Sequence, residues 1–207
     1  MLKLGITGGI GCGKSEFCKM LEEKGIAIIH ADLVAREMMD TNEEIISRVK
    51  KILGEEAYLP NGKLDRKRVA EIIFNDENAK QRINQIVHPQ VIEYQKKELE
   101  KLERSGKFKF AGVEAALIFE AGAELQFDVV VVVVASETTV INRLMKRDGL
   151  SRQEIMKRIE SQMPLSEKIK RADIVIHNDG SPDELNHEVN RLLYWLNNQE
   201  RWNFGQS

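Results

Sequence analysis

One eight-residue run limits what this chain can fold into more than any other feature. Gly8-Gly9-Ile10-Gly11-Cys12-Gly13-Lys14-Ser15 fits G-x-x-x-x-G-K-[ST] at every fixed position. Before it, Leu2-Lys3-Leu4-Gly5-Ile6-Thr7 reads as a short buried strand, and after it Phe17, Met20 and Leu21 recur at helical spacing until Gly25. The glycines let backbone N–H groups turn inward, and the following helix adds the positive end of its dipole, so the loop forms a cradle for anionic oxygens. The run therefore predicts a nucleoside triphosphate site built from Gly9, Gly11, Cys12, Gly13, Lys14 and Ser15. Lys14 would reach the terminal phosphates, and the Ser15 hydroxyl would join the shell of a Mg²⁺ ion bridging them.

Glu16 follows at a position where many such loops carry a second hydroxyl that donates to the innermost phosphate. An ionised glutamate cannot donate that bond, although it suits the first turn of a helix. The sequence thus predicts somewhat weaker nucleotide binding than a threonine would give.

A chain of 207 residues can bury a sizeable core and suits one nucleotide-binding core carrying insertions. The net charge of −2, with Lys and Arg spread along the chain, offers no basic field for nucleic acid. The longest apolar run, residues 129–135, is too short to cross a bilayer and holds six valines that suit a strand buried on both faces. No leader segment is read at the start, so a cytoplasmic protein without a membrane partner is expected, its two cysteines, Cys12 and Cys18, being free thiols.

Further strands are expected at residues 26–30, 108–115, 128–135 and 173–177, separated by helical patterns, which means a parallel sheet wrapped by helices. The helical stretch between the second and third strands is far longer than a crossover needs and should form a lobe of its own. Within it Pro60-Asn61-Gly62 reads as a turn, and Pro89 as the start of a long helix ending at Ser105-Gly106. Ser151…Glu154 and Ser181…Glu184 are capping-box patterns.

Three constellations could carry chemistry. His30 and Asp32, two residues apart at the end of the second strand, are expected to point to one side at the carboxyl edge of the sheet. Asp32 there either takes a proton from an attacking hydroxyl or caps the following helix. Glu114 closes the third strand, where a carboxylate reaches the metal shell or is a structural surface residue. Arg143, Arg147, Arg152, Lys157 and Arg158 cluster around Gly149, as in a lid whose arginines neutralise the transferred phosphoryl group, or as in a solvated helix hairpin.

Taken together, these residues resemble the dephospho-CoA kinase family. The resemblance runs almost end to end: residues 5–15, Ala31-Asp32 with Ala35-Arg36, Leu64-Asp65-Arg66, Phe74, His88-Pro89, residues 117–120, Arg143 with Arg147, residues 148–151, Arg158, Gln162-Met163-Pro164, Ala172-Asp173 and Asn178. It implies an α/β phosphate-loop fold of three layers with a parallel sheet, an inserted helical substrate lobe and a helical lid. The implied divisions are a core of residues 1–32, 107–136 and 172–197, a coenzyme lobe at 33–106 and a lid at 137–171, with 198–207 a flexible tail.

The implied activity is transfer of phosphate from ATP, with Mg²⁺, to the 3′-hydroxyl of the ribose of dephospho-CoA. The resemblance makes Asp32 the base, has Lys14, Arg143 and Arg147 meet ATP, places Asn178 near its adenine and turns Arg36 and His88 to the coenzyme substrate. The expected assembly is a monomer or small homo-oligomer. His30 stands where the family commonly has Asp, Glu114-Ala115-Ala116 where it has Asp-x-Pro, and Glu16 where it has Thr. Two other readings share the loop: a nucleoside or nucleoside monophosphate kinase, and a non-catalytic nucleotide-dependent switch. A GTPase would need an Asn-Lys-x-Asp guanine reader, which the sequence lacks.

Overall fold

A computed structural model describes residues 1–198, the side chain of Phe74 excepted; of the tail expected at 198–207, Asn198 ends a helix and the rest lies outside the described residues. Five strands, β1 (Leu2–Gly8), β2 (Ala27–His30), β3 (Phe110–Glu114), β4 (Val129–Val134) and β5 (Ile174–His177), form one sheet in the order β2-β3-β1-β4-β5. β1 pairs in parallel with β3 and with β4, and β4 with β5. Every strand expected from the sequence is present, the first extended by Gly8 and the other four shortened by a residue or two at their ends. The strand that feeds the phosphate loop is the central one.

Six consecutive valines make β4, and all are buried. Val129, Val131 and Val133 pack with Phe17 and Leu21 of α1 (Lys14–Glu23), Val140 and Leu144 of α6 (Glu137–Asp148) and Leu185, Val189 and Leu192 of α9 (Pro182–Asn198). Val130, Val132 and Val134 face the other way onto Phe119, Phe127, Met163 and Leu165. Alternation of side chains along the strand thus serves two cores, and the sheet is the middle of three layers.

The chain divides into two compact units, one comprising Met1–Ile28 with the chain from Ser105 onward, the other Ile29–Arg104. The second is helical: α2 (Ala31–Thr41), α3 (Glu43–Leu53), α4 (Arg66–Asn75) and α5 (Glu77–Ser105). Asn42 caps α3 by accepting from Ile45 N, and Asp65 caps α4 by accepting from Arg68 N, each at 3.1 Å. The expected turn at Pro60-Asn61-Gly62 is present, closed by Leu59 N donating to Lys63 O at 2.8 Å.

Pro89 does not open a helix as the sequence predicts. α5 begins at Glu77 and runs through it, because the start signal is Asp76, whose carboxylate accepts from Ala79 N at 3.0 Å. Proline removes one helical N–H, and Gln85, the residue whose carbonyl loses that bond, is exposed. α7 (Arg152–Glu160) opens on a complete capping box at Ser151 and Glu154, as expected. A short α8 (Leu165–Arg171) follows it.

Candidate active site

Two glycines of the loop are required by their surroundings. Gly8 ends β1 at φ 152°, and a Cβ there would overlap the Val133 carbonyl of β4. Gly13 sits at φ 88°, a left-handed conformation costly to other residues, and a Cβ would overlap Asn178 Nδ2. This tight wrapping brings the loop's own atoms inward. Lys14 heads α1 and donates from Nζ to the carbonyls of Gly8 at 3.2 Å and Gly9 at 3.1 Å. Glu16, next along, is exposed in the first turn.

Neighbouring strand ends supply the rest. Asn178, just past β5 and buried, donates from Nδ2 to Cys12 O at 2.8 Å. Arg143 projects from α6 toward the same loop: its Nη1 would lie 3.7 Å from a Cβ on Gly13. That atom is buried without a hydrogen-bond partner among the described residues. A buried guanidinium nitrogen with an unused donor, beside the glycine loop, is suited to an anion. Asp179 is held below the usual carboxylate range, chiefly by the Ser136 N–H it accepts at 2.7 Å, with Arg143 adding to the effect.

Ser15 Oγ donates to Glu114 Oε1 at 2.8 Å, which joins the loop to the end of β3. Among the described residues no group of three or more His, Cys, Asp or Glu side chains is placed to cage a metal. Mg²⁺ needs no such cage, since it commonly binds through one or two protein oxygens together with phosphate and water. The Ser15 hydroxyl and Glu114 carboxylate are hard oxygen donors that fit this habit. Arg147 is on the exposed side of α6, where it grips Asp148 through two bonds of 2.8 Å.

Asp32, Arg36 and His88 all belong to the helical unit. β2 ends at His30 and α2 begins at Ala31 without a loop, so Asp32 occupies the first helical turn. The strand alternation expected to align His30 with Asp32 therefore does not apply. Nor does Asp32 cap the helix: the N-cap position is His30, and it makes no side-chain cap bond. Within the unit, burial pushes the His88 imidazole below its ordinary value while the Asp32 carboxylate pulls it upward, so the two lie within electrostatic reach.

The helix carrying Arg36 is pinned by Leu64-Asp65-Arg66. Arg66 Nη2 donates to Arg36 O at 3.2 Å and to Asp40 Oδ2 at 2.7 Å, and Leu64 N donates to Asp40 Oδ1 at 3.0 Å. Tyr58 adds a bond to Met39 O at 3.0 Å, and burial pushes its phenol up to about 12.

This loop, with an arginine and an asparagine at its back and a carboxylate beside its serine, agrees with the comparison to known proteins. The family model described as dephospho-CoA kinase matches residues 2–184. The chain belongs to the dephospho-CoA kinase family. It is 40% identical over 189 residues to the dephospho-CoA kinase of Geobacter sulfurreducens, covering 91% of this chain and 95% of that one. Among solved structures it is similar to a Thermus thermophilus protein, with a TM-score of 0.78, 33% identity and coverage of 94% and 97% of the two chains. It is also similar to the dephospho-CoA kinase of Campylobacter jejuni, with a TM-score of 0.69, 29% identity and coverage of 93% and 95%.

Sequence reasoning left two residues packed around the loop without a role. Gln162 Oε1 accepts from Ile10 N of the loop at 3.0 Å, and Lys168 is wholly buried against Ala116 and Glu120. Gln162 stood in a recognisable motif, but Lys168 was hidden among Glu167, Lys170 and Arg171, which read as a solvated helix face.

Proposed function

We propose that the phosphate loop and the arginine, asparagine and carboxylate around it hold ATP, and that the helical unit presents the acceptor. The chain is an ATP-dependent kinase acting on dephospho-CoA in coenzyme A biosynthesis, the activity of the family to which it belongs. In this reading the ribose 3′-hydroxyl oxygen attacks the terminal phosphorus, the bond to the ADP oxygen breaks, and Asp32 receives the hydroxyl proton. The first-turn position of Asp32, free of capping duty, supports that role.

Lys14 and Arg143 meet the negative charge of the phosphates, Arg147 joins them, and Asn178 is on the adenine side. Arg36 and His88 face the coenzyme substrate. When bound by Ser15 and the Glu114 carboxylate with its water, Mg²⁺ would neutralise charge on the last two phosphates. The observation that carries the ATP half of this reading is the buried Nη1 of Arg143 beside Gly13, without a hydrogen-bond partner among the described residues.

A cytoplasmic location suits the substrates. No helix among the described residues is long and apolar enough to cross a membrane.

Incubation with Mg-ATP and dephospho-CoA, with AMP and adenosine as competing acceptors and products identified by mass spectrometry, tests the reading. A gain of one phosphoryl group on dephospho-CoA alone is expected. Transfer to AMP or adenosine instead would move the chain to the nucleotide kinases, and transfer to none of them would favour a switch.

A further inference from the structure

Behind the phosphate loop, in the sheet unit, five bonds link three segments that are far apart in sequence. Thr7 Oγ1, fully buried at the end of β1, donates to Ala116 O at 3.1 Å. Lys168 Nζ of α8 donates to the same carbonyl at 2.8 Å and pairs with Glu120 Oε1 at 2.8 Å. That Glu120 oxygen also accepts from Met163 N at 3.0 Å. The residue before Met163 is Gln162, whose Oε1 accepts from Ile10 N of the loop at 3.0 Å. The bonds therefore start on the strand that enters the phosphate loop and return to the loop itself.

The centre of this network is a charged group with 0% exposure. Burying an ammonium is costly unless its protons are met, and an apolar side chain of similar length would fill the space without that cost. Its bonds instead determine the placement of two functional segments. Ala116 lies two residues beyond Glu114, which accepts from Ser15 Oγ, and Ala115 N is tied to Ile6 O at 3.0 Å. Met163 lies one residue beyond Gln162.

We propose that Lys168 is a positioning residue for phosphoryl transfer. Through the Ala116 carbonyl it fixes the segment that aims Glu114 at Ser15, and through Glu120 it seats Gln162 on the Ile10 N–H. It touches neither substrate. The inference rests on the reading of the loop as the ATP site, and it adds a cause for the loop's shape that the glycine motif does not contain.

Lys168→Met keeps side-chain length and removes the donors and charge. Loss of a group that supports a metal ligand directly typically costs about 10- to 100-fold in affinity or activity, and Lys168, one bond further out, is expected to cost about 10-fold. That loss is expected in kcat/KM for ATP and in the calorimetric Kd for Mg-ATP measured without acceptor, while the KM for dephospho-CoA stays within about twofold. Equal losses for both substrates with a lowered Tm would make Lys168 a packing residue and overturn the proposal, as would unchanged ATP binding.

If Lys168→Met does not fold, Glu120→Gln and Gln162→Leu carry the test. Each is expected to weaken Mg-ATP binding, and the double variant to lose less than the sum of the two; unchanged binding or full additivity overturns the proposal. Lys14→Met run alongside separates the two readings. If it leaves ATP binding intact the loop is not the ATP site, whereas a loss there with none in Lys168→Met removes the positioning role alone.

Discussion

Around β1 glycine backbone sets the loop and side chains packed behind it hold that shape, whereas in the helical unit the placing falls to side chains. The phosphate loop takes its shape from glycines at φ 152° and 88°, pressed against the Val133 carbonyl and Asn178, at the end of a central strand buried from Leu4 onward. Residues 29–104 instead position α2 through the Asp40 carboxylate, which holds both Arg66 and Leu64 N, and through the Tyr58 hydroxyl. The difference matches the ligands proposed for each. A triphosphate presents the same oxygens in every nucleotide and can be met by main-chain N–H groups, but choosing one acceptor among many requires side chains.

Variants that attack the helical unit should therefore change acceptor chemistry and leave ATP binding alone. The largest effect is expected from Asp32→Asn. Base catalysis is typically worth about 10²- to 10⁴-fold, so the single-turnover transfer rate should fall by that order with ATP affinity unchanged. A normal rate by rapid quench would remove Asp32 from the reaction.

A smaller effect is expected from Asp40→Ala, which leaves Leu64 N and Arg66 without their shared partner. Stranding such a donor costs about 1–3 kcal/mol, less where water reaches it. Denaturant unfolding should show the loss together with a raised KM for dephospho-CoA. A raised KM for ATP as well would blur the division between the two units.

The smallest signal is the titration of His88. Burial holds its pKa below the ordinary 6.5, so between that lowered value and 6.5 the folded protein binds fewer protons than the unfolded chain. Stability from this group is therefore present above 6.5 and is lost as pH falls through the window. Proton NMR should place the His88 midpoint below 6.5, and Asp32→Asn should lower it further by removing the carboxylate that pulls it upward. A midpoint that rises in Asp32→Asn would contradict the arrangement.

The same contrast explains what the sequence made legible. The loop, the five strands and both serine capping boxes were readable because each depends on local rules: glycine φ, alternation of β-branched residues, and spacing from cap to third residue. Pro89 misled because a residue that favours the first turn of a helix by local rules here sits inside a long helix already started by Asp76. His30 and Asp32 misled because the strand stops between them, which a period of two cannot anticipate. Lys168 was invisible, since nothing in a run of charges marks the one that tertiary packing buries.

The division of labour is tested most directly by calorimetry of each ligand alone on two variants, Lys14→Met and His88→Leu. The expected result is a crossed pattern: Lys14→Met loses Mg-ATP and keeps dephospho-CoA, while His88→Leu keeps Mg-ATP and loses dephospho-CoA. Loss of both ligands in either folded variant would contradict it.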